Sequence, residues 1–296
     1  MRPPRAQQLL VTALGVLVAA YILAPFAWVA VSSIQPEKEL FSVPPHWVPR
    51  ILTGDNYRFI FTGKFPAGYT ETGLLRGRIS EKARDALPAL KNSTIVALTV
   101  AATNLLLGVV AAYSFSRLRF RGAGVLYTFV LASRLLPPMA LAIPYYLIVA
   151  RLGLLDRYGA LILIHSAVTL PFTVWFLAVY FRRVPPDMEE AALVDGCTRL
   201  QVLVRIVAPV AAPALAAAAA FAFMFSYNDF PFALFVTSTI RSQTIPVIVS
   251  ATAVNPDVSF GVVAVTVVLT MLPPVVFALL FRQYITRGLI TVVTTR

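Results

Sequence analysis

EEAALVDGCTRLQVLVRIVAP, residues 189–209, carries three acids, two arginines and a central glycine in a chain whose mean hydropathy is +0.79. Just upstream, Arg182-Arg183-Val184-Pro185-Pro186-Asp187 closes an apolar run, because neither proline can donate the hydrogen bond that would extend a helix. A new helix can start there, since proline suits a first turn and Asp187, Glu189 and Glu190 sit where the helix dipole favours acids. Gly196 supplies a stop with positive φ, and a second short helix from about Thr198 leads into the next apolar run. The stretch therefore predicts a polar helix–turn–helix hairpin at the border of something very apolar. Met188, Ala191, Ala192 and Val194 would give it a compact surface that another protein could approach closely.

The apolar surroundings set the fold class. Of 296 residues, 58% are hydrophobic and 13% charged, and the charges lie between apolar runs of about twenty residues or more. Six segments, 9–34, 93–115, 123–150, 158–181, 207–235 and 260–281, are each long enough to cross hydrocarbon about 30 Å thick as helices. Alternating strands are absent, so the sequence predicts an all-α polytopic membrane protein and not a barrel. The first segment is too long for the apolar part of a cleaved signal and reads as a retained anchor.

Arginine placement predicts the orientation. Twelve arginines (2, 5, 117, 119, 121, 182, 183, 199, 205, 282, 287 and 296) fall in the intervals that are cytosolic if both termini are inside. The short outer intervals hold only Arg151, Arg157 and Arg241, and the 35–92 loop is long enough to translocate regardless of its charge. Residues 1–8, the 182–206 hairpin and the 282–296 tail are thus expected inside, and the 35–92 and 236–259 loops outside. The net charge of +12 reflects this topology, not a nucleic-acid surface.

Residues 35–92 are rich in proline and glycine and predict a packed loop with short helices. Asn92-Ser93-Thr94 matches a glycosylation acceptor but abuts the membrane, so a helix cap by Asn92 or Ser93 is the expectation. The Ala211–Ala220 run suits close helix approach. Two histidines and one cysteine, Cys197, assemble no metal cluster, disulfide or catalytic constellation, so no cofactor is expected on this chain.

Spacing gives the hairpin a further meaning. Glu190-Ala191-Ala192, three residues, Gly196, nine residues, Ile206 and then Pro209 resembles the E-A-A-x3-G-x9-I-x-L-P signature of permease subunits of ATP-binding-cassette importers, with Ala208 at the leucine position. Leu90-Lys91-Asn92-Ser93, the Ala112–Phe120 stretch AYSFSRLRF, Ser226-Tyr227-Asn228-Asp229-Phe230 and Arg287-Gly288-Leu289 narrow the resemblance to carbohydrate-importer permeases similar to the smaller maltose-transporter membrane subunit. The resemblance implies a type I importer permease fold in a bacterial or archaeal cytoplasmic membrane. It also implies a companion permease, two ATPase subunits carrying ATP and Mg2+, and an extracytoplasmic substrate-binding protein approached by the 236–259 loop. The hairpin would be the coupling helix, with Asp187, Glu189, Glu190, Ala191, Ala192, Asp195, Gly196, Ile206 and Pro209 as its contact and turn positions. No G-x4-G-K-[ST] loop is present, so the motor must be a separate chain. Many relatives end in a short Gly-Lys sequence; this chain ends Thr294-Thr295-Arg296.

Polar residues within the apolar segments complete the reading. Arg134, beside Pro137 and Pro138, is expected to face the interior, since a bare cation costs at least roughly 2.5–3.5 kcal/mol at mid-membrane. Asp229 is its available acidic partner. Asn104, Phe225, Tyr227, Asn228 and Asp229 are the other candidates for a solute path, because sugar recognition wants aromatic faces beside amides. His165 reads as a structural hydrogen-bonding residue. A secondary transporter would need more intramembrane carboxylates than Asp229; a cargo with a phosphate or carboxylate would give Arg134 a direct role.

Overall fold

The computed structural model describes residues 5–44, 46–63, 81–254 and 258–293, and among them the chain is helical with no strand. Among the described residues, four helices are long and apolar enough to cross a membrane: Gln7–Ser33, Ala86–Arg117, Tyr158–Phe181 and Phe260–Tyr284. Two bent pairs, Ala123–Leu135 with Pro138–Arg151 at 97° and Arg199–Val210 with Ala212–Asn228 at 84°, raise the number to six if each pair is one span. The 123–150 and 207–235 segments, expected as single crossings, are therefore broken. Pro137 and Pro138 explain the first break, where short 3-10 turns replace the helix at Ser133–Leu135 and Pro138–Leu141. The second follows a π turn at Leu203–Val207 and falls at Ala211, ahead of Pro213.

The chain forms two compact units, one from residues 1–87 and 248–271, the other from 88–247 and 272–296. In the first, the Arg5–Ser33 helix is exposed along its apolar length, as a lipid-facing helix would be. Short helices follow at Glu37–Leu40, Asp55–Thr62 and Glu81–Arg84. Buried Glu39 accepts from the backbone N–H groups of Arg50 and Ile51 and closes the intervening loop. Asn56 donates to the Ser33 and Gln35 carbonyls, which otherwise end the first helix unsatisfied. Phe59, Ile60, Ala83, Val262, Val265 and Leu269 make the core of this unit.

The second unit is organised on the Tyr158–Phe181 helix. The Ala212–Asn228 helix packs along it and buries Ala214, Ala218, Ala219, Ala220 and Ala222, the close approach that small side chains permit. On another side, a Cβ placed on Gly108 would lie 2.7 Å from Thr173 Cγ2, so only glycine fits. Gly108→Ala should overpack this contact by about 1–3 kcal/mol, and Thr173→Ser, which removes the clashing methyl, should restore the loss. Thermal melting of the purified transporter checks this; a double variant no more stable than Gly108→Ala would sink the explanation.

Two expectations about ends are corrected. Asn92 and Ser93 do not cap a helix, because the helix already begins at Ala86. Asn92 instead donates to the Ile240 and Gln243 carbonyls at 2.8 and 2.9 Å and accepts from Tyr158 Oη at 2.5 Å, while Ser93 Oγ accepts from Ile245 N at 2.7 Å. The 236–259 segment is not all loop, since Ile245–Ala253 is helical. The backbone of Arg287-Gly288-Leu289 continues the last helix to Val293; Thr294-Thr295-Arg296 and residues 64–80 lie outside the described residues.

Candidate functional site

The polar hairpin forms as a helix at Pro186–Val194, a tight reversal, and a helix at Arg199–Val202. Pro186 occupies the first turn. The reversal is a Schellman closure: Gly196 N donates to Leu193 O at 3.1 Å, Cys197 N donates to Ala192 O at 2.9 Å, and Gly196 has φ +87°. Thr198 then caps the second helix by a capping box, its Oγ1 accepting from Gln201 N and its own N–H donating to Gln201 Oε1 at 2.8 Å. The T-x-x-Q spacing that produces this box is present in the sequence.

One buried carboxylate fixes the hairpin to the bundle. Glu189 Oε1 accepts from Arg117 Nε at 2.6 Å and Oε2 from Tyr113 Oη at 3.0 Å, and Arg117 Nη2 donates to Val184 O at 2.5 Å. The Glu189 and Arg117 side chains are 4% and 14% exposed. Arg117 and Tyr113 come from the last turn and a half of the Ala86–Arg117 helix, so the end of one long helix holds both the entry and the first helix of the hairpin. Apolar contacts add to this: Ala192, Val202, Leu203 and Val207 share a core with Ala112, Leu177, Ala178 and Phe181. Arg182 lies over the Tyr127 ring at 5.6 Å, a cation–π contact on the same border.

Glu189 and Ala192 therefore face inward and are corrected as outer contact positions. Their spacing of three puts them on one helix face, and Glu189 is the acid that pairs. Asp187, Glu190, Ala191, Asp195 and Gly196 are exposed, with Met188 and Val194 beside them; Ile206 is half-buried and Pro209 exposed. The outward face is thus three acids and small or flexible apolar groups around a glycine turn. Tyr113 and Arg117 were missed as functional residues; they lie in the AYSFSRLRF stretch, but no local pattern couples them to a carboxylate over seventy residues away.

The candidate solute-path residues separate into two groups. Asn104, Tyr227 and Asp229 are buried within the second unit. Asn104 Nδ2 bonds Thr169 Oγ1 at 2.5 Å, and Tyr227 stacks on Phe223. Asp229 Oδ2 accepts from Ala233 N at 3.1 Å, which ties off the start of the Pro231–Val236 helix. It also lies 3.2 Å from His165 Nε2, within ion-pair distance but off line for a hydrogen bond. His165 Nδ1 pairs with Ser226 Oγ at 2.8 Å, so this ring bridges two helices as a structural group.

Arg134 and Asn228 are exposed and Phe225 is half-buried. Arg134 neither faces the interior of this chain nor meets Asp229; Nη1 donates to the Val168 carbonyl at 2.8 Å, from the 3-10 turn at the 97° bend. The bend accounts for the difference. It carries residues 133–141 onto the surface of the chain, where every one of them is exposed up to Ala140.

Apolar helices of membrane-crossing length, two of the candidate spans bent, with a polar hairpin anchored on one of them, define the class as a multi-pass membrane protein. The family described as binding-protein-dependent transport system inner membrane component matches residues 104–291, and this chain belongs to that family. It is 32% identical to the trehalose/maltose transport system permease protein MalG of Thermococcus litoralis over 98% of this chain and 97% of that one. It is 31% identical to the trehalose transport system permease protein SugB of Mycobacterium tuberculosis over 93% of each. Among solved structures, a chain of a bacterial ABC transporter involved in the import of the acidic polysaccharide alginate has the same fold, with TM-score 0.77 at 20% identity over 96% of this chain and 99% of that one.

Proposed function

We propose that the chain is one membrane subunit of an ATP-driven importer of a sugar or oligosaccharide, forming half of the translocation pore with a second permease chain. The supporting relatives carry trehalose or maltose transport in their names. Six crossings with both termini inside, in a bacterial or archaeal cytoplasmic membrane, fit the arginine distribution and the two bent pairs. Two ATPase subunits, holding ATP and Mg2+, drive the cycle; an extracytoplasmic substrate-binding protein delivers the solute.

The observation that carries this reading is the anchoring of the hairpin. A helix seated on a buried ion pair moves as one body with the Ala86–Arg117 helix, while its exposed face, Asp187, Glu190, Ala191, Asp195 and Gly196, stays free for an ATPase groove. Reconstitution tests it. Liposomes holding this chain with a companion permease, the ATPase and the binding protein should take up sugar only with ATP, and uptake by this chain alone would refute the assignment.

Gly196→Pro and Glu190→Lys address the exposed face. Proline requires φ near −65° where Gly196 has +87° and removes the Gly196 N–H that bonds Leu193, so the turn should open. Lysine puts a cation in the first half of a helix that favours acids there. Both should leave the crossings inserted and cut ATP-coupled uptake by more than about tenfold, equivalent to 1.4 kcal/mol of lost coupling. Normal stimulation of ATP hydrolysis in either reconstituted complex would remove the hairpin from the coupling role.

A second reading keeps the importer and changes the solute to an acidic or phosphorylated one such as a glycerol phosphate. Arg134 favours it, as an exposed cation on an otherwise apolar bend.

A further inference from the structure

After Ser33 ends the first long helix, the chain folds back on it. The loop following Glu37–Leu40, described at residues 41–44 and 46–52, is held from inside: buried Glu39 accepts from the N–H groups of Arg50 and Ile51, and Thr53 N donates to Ile34 O at 2.8 Å. Donors met in this way do not need water. The loop turns its apolar side chains outward, with Phe41, Val43, Trp47, Val48, Ile51 and Leu52 all 60–96% exposed. Such a contiguous apolar patch marks a protein or membrane contact.

Trp47 fixes the depth of the patch. Its ring meets that of Trp28 with centroids 5.1 Å apart, and Phe41 meets Phe260 edge-on at 5.2 Å. The 27-residue Gln7–Ser33 span is about 40 Å long, so when centred on hydrocarbon about 30 Å thick it overshoots by about 5 Å at each end. Trp28 precedes Ser33 by five residues, about 7–8 Å along the axis, which puts it at the boundary of acyl chains and headgroups. Tryptophan is enriched at that depth. The loop thus continues the surface of a helix whose apolar length is exposed to lipid.

Beside the loop lies an open cleft of about 290 Å³. Trp28 and Val29 form one wall, Phe260 and Val267 the other, with Phe41 between them, and apart from buried Ser32 its lining is apolar. A polar ligand would find few partners there; hydrocarbon needs none. The charges near the loop are of both signs, with Lys38 and Arg50 exposed, Glu37 half-buried and His46 3.9 Å from Glu39. They single out no headgroup, so the selection is for an acyl chain.

We propose that residues 41–52 form a wedge lying in the outer leaflet, and that the cleft beside it takes one acyl chain of a phospholipid in that leaflet. That the leaflet is the outer one rests on the importer reading, which puts the 35–92 loop outside.

The test uses the complete transporter in phospholipid vesicles. With the photocrosslinker p-benzoylphenylalanine in place of Val48, irradiation should give this chain the added mass of one phospholipid as its main adduct. A main adduct with the companion permease, or no lipid adduct, overturns the wedge. A phospholipid with a diazirine on its acyl chain should label the peptides holding Val29 and Val267 more strongly than the remainder of the Arg5–Ser33 helix. Val29→Phe and Val267→Phe, which fill the cleft from opposite walls, should each cut that labelling several-fold at normal complex yield and leave the Val48 adduct in place. Labelling unchanged in both variants overturns the acyl site, as does native labelling no stronger at the cleft than along the helix, which would make the cleft ordinary lipid surface. The leaflet is read separately: in intact cells, Lys38→Cys should react at position 38 with a membrane-impermeant maleimide added outside. Reaction there only in inverted vesicles would fail the importer topology and leave the wedge in the opposite leaflet.

Discussion

Arg117→Ala should abolish ATP-coupled uptake, the largest effect expected of any substitution outside the exposed hairpin face. Removing the guanidinium leaves the buried Glu189 carboxylate with the Tyr113 phenol as donor and frees the Val184 carbonyl as well. Stranding one member of a buried pair costs about 3–5 kcal/mol, enough to displace the first helix of the hairpin, whose own share of the apolar core is Ala192 and part of Leu193. Glu189→Gln keeps the shape and one acceptor and should cost less, about 1–3 kcal/mol. The double replacement Arg117→Met/Glu189→Met distinguishes a lost charge pair from lost packing, because apolar residues of similar volume relieve the stranded charge. It should recover complex yield beyond either single methionine variant. Native rates of uptake in Arg117→Ala liposomes would show that the hairpin does not depend on this anchor.

The same pair shows what was legible in the sequence and what was not. The hairpin's limits were legible because prolines and a glycine fix local backbone geometry whatever lies around them: Pro186 starts the first helix and Gly196 ends it. The use of each acid was not. Asp187, Glu189 and Glu190 have the same chemistry and similar positions in the helix, and only the arrival of Arg117 and Tyr113 from the Ala86–Arg117 helix singles out Glu189. Asn92 was misjudged for the same reason. It offers polar atoms that a local reading spends nearby, on a cap, and the folded chain spends on the distant Ile240 and Gln243 carbonyls. Apolar length marked the membrane segments but not their bends, since hydropathy carries no information on direction. Pro137 and Pro138 were the signal for one bend, and Pro209 and Pro213, on either side of Ala211, for the other.

Arg134 decides the cargo, and its two substitutions should separate the neutral-sugar reading from the acidic one. With a neutral sugar, the arginine's work is the bond from the bend to the Val168 carbonyl at 2.8 Å. Arg134→Lys keeps the charge but replaces a planar fork with a point donor, and Arg134→Ala removes both. A hydrogen bond to a charged group contributes about 1.5–3 kcal/mol, so the alanine variant should lower the yield of assembled complex by roughly ten- to a hundredfold where assembly is limiting, and lysine by less. The complex that survives should bind sugar with unchanged half-saturation. With an anionic solute the pattern inverts: the carbonyl bond matters little, assembly stays intact, and uptake of the anion falls, further for alanine than for lysine. The expected result is the first pattern, because one carbonyl bond from an interrupted helix is a sufficient structural use for a cation at that depth. Size-exclusion yield measured beside uptake rates for both variants checks it, and normal yield with lost uptake would transfer Arg134 to the solute and make the cargo acidic.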